Sequence, residues 1–69
     1  MMLTIELEME AEGRWIAQVM ELRGVLCYGT SREDAIRKVK ALALFDIADQ
    51  VEHGEMSADF TPLDFSEAA

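Results

Sequence analysis

The run from Arg32 to His53 contains neither proline nor glycine, and it takes up about a third of the 69-residue chain. Ser31 stands just before it, with a hydroxyl suited to accept from the free N–H groups of a first helical turn. Asp34, three residues on, can bond back as a short-armed capping box. Glu33 and Asp34 also place negative charge at the positive end of the helix dipole. Gly54 follows the run, where helices commonly stop. One long helix over Arg32–His53 is therefore the element around which the rest must fit. At about 1.5 Å per residue it spans roughly 33 Å, against about 20 Å for a six-residue strand. Such a helix overhangs any sheet it covers.

The chain before the helix reads as strands. Leu3, Ile5, Leu7 and Met9 alternate with Thr4, Glu6 and Glu8, the period of a half-buried strand. Glu10–Gly13 supplies a turn, with Gly13 free to take positive φ. Arg14–Met20 reads as the antiparallel return strand, with Trp15, Ala17 and Val19 on one face and Ile16 and Met20 on the other. Glu21–Gly24 connects to a third strand, Val25–Gly29, with Val25 and Cys27 opposite Leu26 and Tyr28. On a helical wheel Ala35, Ile36, Val39, Leu42, Ala43 and Ile47 gather on one side, the side that belongs against the sheet. Ala41, Phe45 and Ala48 fall on the other, where an exposed Phe among alanines is either a modest hydrophobic blemish or a contact surface; the need for oligomerisation favours contact. After Gly54, Phe60, Leu63 and Phe65 suggest a last strand that Pro62 confines to an edge, with Ser66–Ala69 as a tail. The expected fold is α+β, in the order β-β-β-α-β: an antiparallel sheet with one long helix on one face. Residues 1–69 form a single domain in this reading, with no separate DNA-binding domain.

A chain this short buries only about 60% of its unfolded surface, and domains of this size usually need a staple. Cys27 is the sole cysteine, which rules out an internal disulfide. Cys27 and His53 are the only soft ligands, too few for a zinc site. Oligomerisation remains, and a hydrophobic content of 51% favours it. Fourteen acidic residues against six basic ones give a net charge of −8. That balance repels phosphate backbones, whose binding depends on Lys and Arg; on charge alone it reads first as solubility, with the steering of basic partners as the second reading. No stretch is long and apolar enough to span a membrane, and the start lacks the basic region of a secretory signal. A cytoplasmic protein with no membrane or nucleic-acid partner is expected.

The residues offer little for catalysis. A Cys27–His53 pair lacks an orienting third group, and Cys27 reads as a small core residue. Glu6, Glu8 and Glu10 could bind magnesium or act as acid and base, but only with an Asp or His at matching height on a second strand. Otherwise they solvate a strand face. No Gly-rich phosphate loop is present, and Gly24 and Gly29 serve turns and close approach. Trp15 reads as core, since no polar residues converge on it. No catalytic, cofactor or metal residue is assigned. The candidate interface residues are Ile16, Leu26 and Tyr28 on the open sheet face, and Phe45 on the helix.

Three short patterns carry a resemblance. Gly13-x-Trp15-x-Ala17-x-Val19, then Glu21-Leu22-x-Gly24, then Gly29-x-Ser31-x-Glu33-Asp34-Ala35 resemble the N-terminal domain of HicB-type antitoxins and their short stand-alone relatives. Met20 and Arg23 stand where that family usually has prolines, and Asp34 where it usually has Glu. The resemblance implies a partial ribonuclease-H-like fold without that superfamily's set of catalytic acids. It also implies a dimer or higher oligomer that binds and neutralises a small basic HicA-type ribonuclease toxin. Full-length HicB proteins add a C-terminal DNA-binding segment, and a chain reaching only a few residues past Phe65 has no room for one. The alternative is an orphan homo-oligomeric scaffold or regulatory domain without a toxin partner.

Overall fold

A computed structural model describes residues 1–60 and 62–68. Thr61 and Ala69, which the sequence reading places inside the single domain and its tail, lie outside the described residues. The elements are β1 (Met2–Met9), a 3-10 turn (Ala11–Gly13), β2 (Trp15–Val19), β3 (Leu26–Gly29), α1 (Arg32–Glu52) and β4 (Asp64–Ala68). They form one four-stranded sheet, ordered β3-β2-β1-β4, with the helix on one face. The expected α+β class and β-β-β-α-β order hold.

Two of the three strand pairings are antiparallel, as expected, but β4 runs parallel to β1. The reason is topological. β1 and β3 share a direction, and α1 carries the chain back along the sheet before β4 begins. A parallel pair needs a crossover of a dozen or more residues, and α1 supplies it. β4 also begins later than the aromatic run suggested. It starts at Asp64 and takes in Ser66, Glu67 and Ala68, which the sequence placed in a tail. Pairing from Met2↔Asp64 to Glu6↔Ala68 fixes that register, and Pro62 stays outside the strand.

The helix ends where the local signals put it. Ser31 Oγ accepts from the Asp34 N–H at 3.0 Å. The return bond differs: Asp34 Oδ2 accepts from the Thr30 N–H (3.0 Å), one residue before the cap. At the other end Gly54 takes φ 72. The Glu55 N–H then reaches the Gln50 carbonyl (2.8 Å) and the Gly54 N–H the Val51 carbonyl (3.2 Å), the paired bonds of a Schellman stop.

Leu3, Ile5, Ala17, Val19 and Val25 meet Ala35, Ile36, Val39, Ala43 and Ile47 in the core, with Leu22 closing one end. Leu42, Trp15 and Cys27 are half-buried against it. Met9, expected on the inner face, is 60% exposed. The helix lies over β3 and β2 more than over β1, and the end of β1 beside the hairpin turn stays exposed. The overhanging helix finds partial cover from Met56, Phe60 and Leu63, packed against the core with Val51.

Candidate interaction surfaces

The sheet face turned away from the helix is built by alternation. β1 contributes Thr4, Glu6 and Glu8 to it, β2 Ile16 and Gln18, and β3 Leu26 and Tyr28. The register lines them up across the strands: Glu8 beside Ile16 beside Tyr28, and Glu6 beside Gln18 beside Leu26. The three candidate residues Ile16, Leu26 and Tyr28 thus form one continuous patch. Leu26 is 38% and Tyr28 45% exposed, while Ile16, opposite Tyr28, is half-buried. The Arg14 guanidinium lies 4.6 Å from the Tyr28 ring centre, a cation–π contact at the edge of the patch. Glu6, Glu8, Ile16, Gln18 and Ala68 border a shallow hollow of about 380 Å³ on the same face.

Among the described residues no acid or His from a neighbouring strand stands at the height of Glu6 or Glu8. Glu6 is flanked by Gln18 and Ala68, and Glu8 by Ile16. Cys27 lies on the inner face of β3, two residues before Gly29, which abuts the helix start at Ala35. His53 caps the opposite end of the helix, its Nδ1 against the Asp49 carbonyl oxygen at 2.8 Å. The structure keeps this Cys and His apart. Ligand atoms of Asp49, Glu52 and His53 lie within 4.8 Å of one another, all exposed on one turn. All three face water.

No protein-family model matches the chain, no curated protein matches it, and no solved structure matches it.

Phe45 lies on the opposite side of the molecule from the sheet patch and is 71% exposed. Leu44 beside it, 47% exposed, was not singled out from the sequence. The signal was available, because Leu44 falls three residues after Ala41 and four before Ala48, on the outer stripe of the same wheel.

The connection after β2 also carries more than the sequence suggested. Glu21 turns its carboxylate back onto β1, where Oε1 accepts from the Thr4 N–H (2.7 Å) and Oε2 from the Thr4 hydroxyl (2.8 Å). The side chain thus replaces a ladder acceptor where β2 leaves the sheet. The Thr4 backbone bond, more than any other cause, holds the Glu21 carboxyl below its ordinary 4.5. Leu22 then drops into the core, and the Val25 N–H closes onto the Leu22 carbonyl at 3.3 Å. Gly24 in the third position has φ 80, the pattern of a type II turn. Arg23 occupies the second position, where proline's fixed φ is preset for this turn. Arg23→Pro is expected to stabilise the protein by about 0.4–1 kcal/mol, mainly by restricting the unfolded chain. A urea melt measures it, and a loss of stability would contradict the turn assignment.

Asp34 gives the helix start a pH response. Its carboxyl is pulled from 3.8 to about 2, first by the Thr30 N–H and then by Arg37 (2.7 Å) and Lys38 (3.3 Å). The folded-state value lies below the unfolded one, so its contribution to stability is complete above about pH 4 and is lost as pH falls toward 2. Thermal melts from pH 7 to pH 2 should show a smaller acid-side drop for Asp34→Asn than for the parent. Identical slopes would sink the assignment.

Proposed function

We propose that this chain is a non-catalytic protein-binding module of the HicB antitoxin type, which neutralises a small basic HicA-type RNA-cleaving toxin by binding it. The observation that carries this reading is the open sheet face, where apolar Ile16, Leu26 and Tyr28 sit beside the carboxylates of Glu6 and Glu8. An apolar centre with an acidic margin complements a partner that handles RNA through its own Lys and Arg. A net charge of −8 speeds that encounter. The motif that carries the resemblance also supports it, because Glu21 is fastened to Thr4 of β1 while Leu22 and Gly24 shape the turn that follows. The module acts in the cytoplasm, where an unpaired Cys27 is at home, and it self-associates as a dimer or tetramer. Among the described residues no helix is long and apolar enough to cross a membrane.

The test is co-expression with a HicA-type ribonuclease. Growth should be rescued, the two proteins should co-purify, and RNA cleavage by the toxin should stop. Tyr28→Glu should weaken binding by about 2 kcal/mol or more, as expected for an aromatic anchor. A toxin that remains fully active beside saturating amounts of this protein overturns the proposal. The exposed Leu44–Phe45 stripe favours the second reading, a homo-oligomeric scaffold, which self-association without any ribonuclease binding would select.

A further inference from the structure

We infer that two copies of this chain pair through the outer face of α1, with the two helices antiparallel. The face is a stripe of Ala41, Leu44, Phe45 and Ala48, spaced three and four residues apart on one side of the helix, and all four are exposed. Its charges are divided by position. Arg37 precedes the apolar stretch and Glu52 follows it, both on the same side of the helix. From residue 41 onward the chain carries no Lys or Arg at all.

That polarity selects the orientation. Set parallel, the helices would bring Arg37 onto Arg37 and Glu52 onto Glu52. Set antiparallel about a two-fold axis between Leu44 and Phe45, Ala41 of one copy faces Ala48 of the other, and Arg37 faces Glu52. Each such contact occurs twice, as an isologous interface requires. The alanines let the helix axes approach to the close end of the usual 8–10 Å range, while Leu44 and Phe45 fill the centre. Arg37 spends one nitrogen on Asp34 and keeps further N–H groups for a second carboxylate. Its side chain is 71% exposed, so it is free to reach.

The open sheet face stays uncovered in this arrangement, which leaves a dimer with a partner surface on each outer side. The inference takes self-association from the proposed function but does not require that the partner be a toxin.

The full chain is examined by sedimentation at low salt. A dimer is expected, and Phe45→Glu should be monomeric with an unchanged circular dichroism spectrum. Arg37→Glu and Glu52→Arg should each raise the dimer dissociation constant about tenfold or more, because each places like charges face to face. An equimolar mixture of those two variants should restore dimers, since every cross-copy pair is then of opposite sign. A monomeric parent overturns the inference. So does a dimer that survives all three substitutions, or one lost in Tyr28→Glu and kept in Phe45→Glu. A dimer with the expected variant pattern that binds no ribonuclease overturns the proposed function and leaves this inference standing.

Discussion

Gly29→Ala is expected to lose most of the folded population. A methyl group on Gly29 would stand 2.7 Å from the Ala35 Cα and 2.9 Å from its Cβ. These atoms belong to the first turn of α1, which Ser31 and Asp34 fasten by hydrogen bonds on either side of the cap. The helix cannot yield without losing its cap, and β3 cannot yield without leaving β2. Overpacking a tight site costs about 1–3 kcal/mol and more where backbone is hit. A domain of this length has only about 3–10 kcal/mol in all. Gly24→Ala is the control: nothing lies within 4 Å of its Cβ, and the cost there comes only from φ 80. It should lose about 1 kcal/mol. Urea denaturation of the two variants separates steric exclusion from backbone preference, and equal losses would discard the close-approach explanation.

Ile5→Ala is expected to be as damaging by the opposite route. Ile5 is fully buried, paired with Val19 on one side and Glu67 on the other. Deleting its branched chain leaves a cavity in the sheet layer, and both neighbouring strands are held in register by their ladders. Such truncations cost about 2–5 kcal/mol, at or beyond half of the whole stability. The melt should broaden or vanish at 37 °C, whereas Glu6→Ala next door, on the solvated face, should shift stability by no more than about 0.5 kcal/mol. Similar losses at positions 5 and 6 would mean that the face assignment is reversed.

The parts of the fold legible in the sequence are those governed by neighbours a few residues apart. Ser31 and Gly54 announced both helix ends, because caps act within one turn. The period of two placed Trp15, Ala17 and Val19 beneath the helix and left Ile16 outside it. What was not legible depends on residues distant in the chain. The parallel pairing of β4, and its reach to Ala68, are decided by which edge the helix crossover delivers it to. The exposure of Met9 depends on how the helix lies across the sheet. Glu21 reads locally as one more surface acid, and only the fold brings it to Thr4. Of the candidate surface, the sequence grouped Ile16, Leu26 and Tyr28 correctly by alternation. It could not show that Glu6 and Glu8 border them, because that is a matter of register between strands.

The pairing of Met2 with Asp64 also sets an order of events in folding. β1 pairs with β2 across a five-residue hairpin, a local closure, but with β4 across most of the chain, a non-local pairing of the kind that closes slowly. Until then one long edge of β1 stands bare, with free N–H and C=O groups open to any other extended chain. Segment 64–68 therefore acts as a latch: it covers a backbone edge of β1 and makes β1 an inner strand of the sheet.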